Sequence, residues 1–381
     1  MSSILADLPL LNPKSLINAG ACYLEAFLRR PRPASRPVVL DIILTKACNL
    51  NCIFCISYKS LTGQHWMPFD LYRRIAGSLF LTAHAVLFCS GGEPFLYRHI
   101  RKALRLAREN RVITRVTSNG MLIDADTARW IVEEQSLNDL RISLDGARKR
   151  TVERLRRGAR FERIVQNIAR LATLRNQRGM RYPDLRFRFV AMRSNVEELP
   201  ELCAMAARIG VHRIDVNHLK VCNEMDAAES LYNDPGLARK AFGQARLRAA
   251  AEGVMLHLPV DPEKIRLRGP CIQPWEFCQI DVDGAIRPCY HAWRQRLGFF
   301  DAGFLEIWRG THYARLRSTI RSSKPYFPYC EHCPQNGHDG APAHDQRRFD
   351  EDRVIAGLES LRVSHNLRSE ENLAAFREIR E

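Results

Sequence analysis

Three cysteines, Cys48, Cys52 and Cys55, stand in the stretch CNLNCIFC. The C-x3-C-x2-C spacing lets three thiolates on one tight loop hold three corners of a 4Fe–4S cube, which four cysteines normally close. No fourth cysteine stands nearby. One iron is then left open for a substrate or cofactor, and an open metal position is what a catalytic site needs. Structural zinc is the competing reading. It fits less well, because zinc sites favour two cysteine pairs separated by a gap.

A second group comprises Cys271, Cys289, Cys330 and Cys333. Cys271-x17-Cys289 brackets a hairpin pattern, with QIDV and AIRP on either side of the turn dipeptide Asp283-Gly284. Cys330-x2-Cys333 closes the group. Four thiolates can saturate a second cube, and they also suit a structural zinc ion. Cys278 is a spare: it could replace Cys271 as a ligand, but it reads better as a buried, hydrophobic-like cysteine. Cys22, Cys89, Cys203 and Cys222 read as core or loop thiols. Cys89, just before SGGEP, is expected near the first cluster without ligating it.

These loops need elements to hold them. Six apolar runs read as strands: 38–45, 85–89, 111–117, 139–144, 185–192 and 212–219. Helical patterns lie between them at 69–81, 98–110, 124–135, 161–177 and 197–209. Such alternation predicts βαβ units, a parallel sheet and an open or closed barrel. The site then belongs at the C-terminal ends of the strands. The first cysteine motif directly follows the first strand. The predicted class is α/β, divided into an N-terminal helix and linker (1–37), a barrel (38–225), a connecting helical segment (226–264), a cysteine-rich extension (265–345) and a helical tail (346–381). The tail carries Ile355, Leu358 and Leu361 on its apolar side. Residues 29–37, with three prolines, read as an extended linker.

Composition narrows the class. The chain has 381 residues, 46% hydrophobic and 26% charged, which excludes wholesale disorder. Net charge is +16, and between Arg148 and Arg188 there are 14 basic residues against three acidic ones. That excess reads as a solvated helical face. Nucleic-acid binding is not expected, since neither aromatic stacking positions nor a known module accompanies it. No secretory signal and no run of roughly 18 apolar residues is visible, so a cytoplasmic protein is expected. Twelve cysteines in such a protein point to metal or redox chemistry rather than disulfides. Near the N-terminus, Leu16, Ile17, Tyr23, Leu24, Phe27 and Leu28 are followed by Arg29 and Arg30. The plain reading is a helix packed on the main domain. The sharper one is a peripheral membrane contact.

Further motifs follow the strands in order. SGGEP (90–94) follows the second, TSNG (117–120) the third and SLDG (143–146) the fourth. With CNLNCIFC after the first strand, the chain resembles the radical S-adenosylmethionine (SAM) superfamily. The resemblance implies a partial (β/α)6 TIM-like barrel and a 4Fe–4S cluster on Cys48, Cys52 and Cys55 that binds SAM. It places Phe54 beside the adenine. Gly91, Gly92 and Glu93 would meet the methionine ammonium, a charge-assisted contact for a carboxylate. Asn119, Ser143 and Asp145 would lie near ribose, methionine carboxylate or substrate. For Asn119 and Asp145, turn chemistry is an equal alternative.

The second cysteine group, with Pro288, LEIWRG (305–310) and LRSTIRSS (316–323), resembles the auxiliary-cluster extensions called SPASM and twitch domains. A full SPASM domain has seven cysteines. None follows Cys333, so the resemblance implies a twitch-like or shortened SPASM domain with one auxiliary 4Fe–4S cluster on Cys271, Cys289, Cys330 and Cys333. The cluster spacing is similar to that of a radical SAM aminocyclitol dehydrogenase.

The chemistry implied is reductive cleavage of SAM, fed by a reductant such as flavodoxin or ferredoxin. The resulting 5′-deoxyadenosyl radical takes a hydrogen atom from a small polar metabolite, such as a sugar or aminocyclitol. The auxiliary cluster assists an oxidation. The alternatives are a peptide-maturing enzyme of the same kind, one acting on a lipid-linked substrate, or a zinc-containing nucleic-acid-binding protein. Only about 37 residues precede the barrel, short for a peptide-recognition domain. Arg266, Arg268, His257, His218, Asp215 and Glu276 are candidates for a base, and none is assigned.

Overall fold

All six expected strands form, and they lie side by side in sequence order. They are β1 (Val39–Ile42), β2 (Ala85–Phe88), β3 (Ile113–Ser118), β4 (Asp139–Ser143), β5 (Asp184–Ala191) and β6 (Arg213–His218). Every neighbouring pair is parallel. The computed structural model describes residues 12–55, 65–221, 224–259, 271–290, 295–322, 325–327, 330 and 333. The expected tail helix, with Ile355, Leu358 and Leu361, lies outside them.

Helix α1 (Pro13–Phe27) precedes the sheet. Its start is set chemically: Asn12 accepts a hydrogen bond from the Lys14 N–H at 2.9 Å, and Pro13 occupies the first turn, where a missing N–H costs nothing. The crossovers carry α2 (Phe69–Leu79), α3 (Ile100–Glu109), α4 (Ala125–Glu134), α5 (Lys149–Leu155), α6 (Phe161–Gln177) and α7 (Leu199–Arg208).

Alternation along each strand sorts the side chains. One face sends Leu40, Ile42, Val86, Phe88, Val116, Leu140, Phe187, Phe189 and Ile214 into a core shared with the helices. The alternate residues point to the other, inner face. Ala85, Leu87, Ile113 and Phe277 make a small apolar patch there. Asp41, Arg115, Thr117, Asp139, Arg141, Arg186, Arg188 and Asp215 also lie on that face.

The sheet extends beyond the six strands at both ends. The segment read as a helical connector folds as α8 (Pro235–Ala251), packed on α7, and then β7 (Met255–His257), parallel to β6. A three-residue strand is too short to show a periodic pattern. At the other end, β8 (Phe277–Ile280) lies parallel to β1, with Val39 opposite Phe277 and Asp41 opposite Gln279. Strands β9 (Ala285–Arg287) and β10 (Gly298–Phe299) continue antiparallel. The Asp283-Gly284 turn forms as expected. Gly284 has φ +85°, and Asp283 accepts from the Ala285 N–H at 3.0 Å. The hairpin of the cysteine-rich extension is therefore part of the barrel's own sheet.

Residues 29–37 form no strand or helix; they turn at Arg29 (φ +54°), bend repeatedly, and are clamped rather than free. Helices α9 (Phe304–Trp308) and α10 (Thr311–Thr319) supply the clamp. Trp308 Nε1 donates to the Ser35 carbonyl at 3.0 Å, Arg309 to Pro33 at 2.9 Å, and Arg317 to Pro31 at 3.0 Å. The Trp275 indole donates to the Arg30 carbonyl at 2.8 Å. With three prolines in the segment, these carbonyls have few backbone partners of their own.

Candidate active site

The loop carrying Cys48, Cys52 and Cys55 leaves the C-terminal end of β1 and is pinned from three sides. The first pin is SGGEP. Gly92 N–H donates to the Thr45 carbonyl at 2.7 Å, and Glu93 N–H to the Ala47 carbonyl at 2.8 Å. A Cβ on Gly92 would stand 1.9 Å from the Ala47 oxygen, and one on Gly91 would stand 2.6 Å from the Thr45 oxygen. The two glycines thus let one loop lie against another. The Gly92 N–H is already used by Thr45.

Glu93 supplies the second pin. It is buried, and its carboxylate accepts from Ser118 Oγ at 2.8 Å, Asn119 N at 2.8 Å and Phe95 N at 3.2 Å. Burial pushes its pKa up, against the pull of these donors. Asn119 then reaches the cysteine loop, its Nδ2 donating to Asn49 Oδ1 at 2.8 Å. The Asn119 side chain also closes its own turn, accepting from Met121 N at 3.0 Å.

The third pin is Arg156. Asn51 and Cys52 pair antiparallel with Arg157 and Arg156. The Arg156 guanidinium lies 2.6 Å from Asp145 Oδ2, 3.8 Å from the Cys52 sulfur and 5.4 Å from the centre of the Phe54 ring. Asp145 is buried, and its other oxygen accepts from Val190 N at 2.7 Å. Burial drives the Asp145 carboxyl up, and Arg156 pulls it back. Burial also lifts the Cys52 thiol to about 11, again opposed by Arg156. Bound iron overrides such a shift, because a coordinating thiol is deprotonated outright.

The donor set fits a cubane. Three thiols share one loop, a guanidinium stands by to balance thiolate charge, and Leu50 N–H points at the Cys48 sulfur from 3.5 Å. Hydrogen bonds to sulfur are a recognised tuning element of such clusters.

The comparisons with known proteins decide the family. Residues 42–183 match the radical SAM superfamily, and residues 271–334 match SPASM, an iron–sulfur cluster-binding domain. The chain belongs to the radical SAM superfamily. It also carries a SPASM domain, so its cofactors are SAM and 4Fe–4S clusters. The zinc-containing, nucleic-acid-binding reading is set aside by these matches.

The chain is 27% identical to the mycofactocin maturase MftC of Mycolicibacterium smegmatis over 47% of its length, a match spanning 44% of that protein. It therefore spans less than half of that relative. It is 24% identical to an AdoMet-dependent heme synthase of Oleidesulfovibrio alaskensis, over 83% of this chain and 84% of the other. Among solved structures, Streptococcus suis SuiB bound to its precursor peptide SuiA superposes with TM-score 0.61, 18% identity, and coverage of 81% and 71%. The structural likeness establishes the fold.

In the second cysteine group of this radical SAM protein, Cys271, Cys289 and Cys333 are near enough to feel one another's charge, although no three metal-ligating side chains are gathered around one point among the described residues. Burial raises the Cys271 thiol far above its usual value, and Cys289 and Cys333 lie close enough to add to that. Cys330 and Cys333 are buried. Cys289 packs against the small inner-face patch, as does Cys89. Cys22, Cys203 and Cys278 are buried, as core thiols should be, and Cys222 lies outside the described residues. None of the eleven described cysteines is in a disulfide.

Phe54 packs with Leu155, Met192 and Leu219 beneath Arg156. Ser143 sits at the end of β4, opposite Arg188 of β5. Of the residues named as bases, Asp215 and His257 lie 2.8 Å apart, His218 meets the Tyr232 ring at a tilt with centroids 4.7 Å apart, and burial raises Glu276. Arg266 and Arg268 lie outside the described residues.

Two features escaped the sequence reading. One is Arg156, hidden in a basic helical run. The other is the row Arg115, Arg141, Arg186 and Arg188 on the inner face. Arg186 is tied to Asp139, Asp184 and Asp215 at 3.0, 2.9 and 3.4 Å. Arg188 forms no ion pair among the described residues, yet its charge is felt by Asp41, Cys89, Asp145 and Tyr290. Part of the signal was present in DLRFRFVA, where half-buried and buried positions alternate and the arginines fall on the half-buried side. Arg186 and Arg188, within the 148–188 charge excess, lie on a strand rather than on the solvated helical face expected there.

Proposed function

We propose that this chain is a peptide-modifying radical SAM oxidoreductase acting on a carboxylate-bearing part of its substrate. The observation that carries the reading is the charged inner face: Arg188 lies opposite Ser143 of β4, at the strand ends where the cysteine loop sits, and Arg141 stands two residues before Ser143 on the same face. When bound, the first cluster and SAM supply a carbon radical able to take a hydrogen atom from an unactivated C–H bond, and the auxiliary cluster supplies an electron acceptor. The residues of the chain do the rest. Arg156 and Glu93 fix the loops around the reacting centre. Arg188 and Arg141 orient a substrate carboxylate by charge-assisted hydrogen bonds. Cys289, packed against the inner-face patch, would be one of the thiolates holding the auxiliary cluster. A small donor protein such as flavodoxin or ferredoxin serves as reductant.

The peptide class is supported by the likeness to a maturase and to a structure holding a precursor peptide. The smaller-metabolite reading survives in one form. The match to a heme synthase runs along nearly the whole of both chains, and favours a compact substrate rich in carboxylates.

The test is anaerobic turnover of the reconstituted enzyme with SAM and reductant. Candidate peptides encoded beside the gene are compared with carboxylate-bearing porphyrins. A peptide that raises 5′-deoxyadenosine release and becomes lighter by hydrogen atoms supports the proposal. Stimulation by porphyrin alone replaces peptide by metabolite. Stimulation that is unchanged in an Arg188→Ala variant sinks the carboxylate contact.

A further inference from the structure

Helix α1 is amphipathic in the reverse sense. The side turned to the protein carries Ser15, Asn18, Cys22, Glu25 and Ala26. It docks by polar bonds. Asn18 donates to the Arg36 and Thr82 carbonyls at 3.0 Å and accepts from Arg36 N at 2.9 Å. Glu25 accepts from Ala34 N at 2.7 Å and Ser35 N at 3.0 Å. The side turned to solvent carries Leu16, Ile17, Tyr23, Leu24, Phe27 and Leu28, with Ile17 74% and Phe27 82% exposed. Thirteen large hydrophobic side chains are exposed among the described residues, and six of them are these. Folding leaves much of their surface in water, and contiguous apolar surface of this kind marks an interaction site.

Charge says what kind of partner fits. Lys14 lies near one end of the arc, and Arg29, Arg30 and Arg32 follow the other, all exposed. The only acid between Asn12 and Pro37 is Glu25, which is turned inward. The whole chain carries +16.

We propose that α1 lies flat on an anionic lipid bilayer, with Ile17, Leu24 and Phe27 entering the headgroup–acyl boundary and Arg29, Arg30 and Arg32 facing lipid phosphates. Apolar burial and attraction to anionic headgroups are the two terms that hold such helices at an interface. This is a surface seat rather than a span; no helix among the described residues is long and apolar enough to cross a membrane.

The experiment is flotation of the full, reconstituted chain with vesicles of phosphatidylcholine alone, or of equal parts phosphatidylcholine and phosphatidylglycerol. Binding to the anionic vesicles is expected, weakened about tenfold or more by Ile17→Asp with Phe27→Asp. Both positions are largely exposed, so folding should be kept, and unchanged circular dichroism and iron content verify this. Changing Arg29, Arg30 and Arg32 to Gln should cost about fivefold for each charge removed. No binding to anionic vesicles, or binding indifferent to the Asp substitutions, overturns the proposal. Equal binding to both vesicles overturns its electrostatic half. Vesicles ignored while the Asp substitutions abolish self-association reassigns the face to a second copy of the chain.

Discussion

Lys46 Nζ lies 3.0 Å from Asp281 Oδ2. The lysine stands two residues before Cys48, and the aspartate lies on the hairpin between Cys271 and Cys289. One ion pair therefore joins the loops of both cysteine groups. Arg287 completes it, 2.5 Å from the same oxygen. The Asp281 side chain is fully buried, and Lys46 is 15% exposed. Asp281→Asn would leave two cations without their anion, at a cost of about 3–5 kcal/mol.

The pH dependence of that cost has a definite sign. Burial raises the Asp281 carboxyl, but Arg287 and Lys46 outweigh it and hold the group below the ordinary value. Its contribution is then complete above the unfolded carboxylate pKa of about 3.9 and is lost as pH falls through the lower folded value. Urea titrations of both proteins should show a wide gap at about pH 7 that narrows by about pH 3. A gap of constant width would contradict the ion pair.

Arg156 joins Asp145, Cys52 and Phe54. Arg156→Met should destabilise the protein by about 3 kcal/mol, because Asp145 is left buried and unpaired. Asp145→Asn in the same chain should return part of that loss. A double-mutant cycle measures the coupling, and additive effects would mean that the pair is not coupled.

Gly92 and Gly77 make a matched pair. Gly92→Ala should break the contact between SGGEP and the cysteine loop, since its Cβ would meet the Ala47 oxygen at 1.9 Å. Loss of SAM affinity in equilibrium dialysis is the expected readout. Gly77, inside α2, has open space around its Cβ position. Gly77→Ala should stabilise the fold by roughly 0.5–1 kcal/mol. If both variants behave alike, the loop contact is not what requires glycine at position 92.

Arg188→Ala should cost about 1 kcal/mol or less of stability, since it breaks no ion pair among the described residues but removes a charge felt by the buried Asp41 and Asp145. Substrate affinity should fall by about tenfold or more, the worth of a hydrogen bond to a charged group. Thermal melting and substrate KM separate the two effects. A variant that melts much earlier with KM unchanged would make Arg188 structural.

Much of this was legible in the residues. The six strands and five of the crossover helices announced themselves because apolar periodicity reports directly which face is buried, whereas the short α5 (Lys149–Leu155) was not among the expected helices. The cysteine spacing and the turn at Asp283-Gly284 are local facts, and local facts read well. What escaped was set by pairing at a distance. Nothing near Phe277 says that β8 will lie beside β1. Nothing near Arg156 says that its partners are Asp145 and Cys52. Gly92 was read as making room for a ligand, whereas the space it leaves is filled by Ala47. On α1 the apolar stripe was plain, but a stripe does not say which way it faces.

The pairing of β1 with β8 bears on how the chain is made. Until Phe277–Ile280 leaves the ribosome, one edge of β1 has no neighbour, and 235 residues separate Ile42 from Phe277. At about 5–20 residues per second, that edge stays bare for roughly 10–50 seconds. A bare edge is a template for pairing with another chain. The strand that begins the barrel is thus the last of the six to be covered on both sides, and newly made protein should need chaperone cover through that interval more than the finished enzyme does.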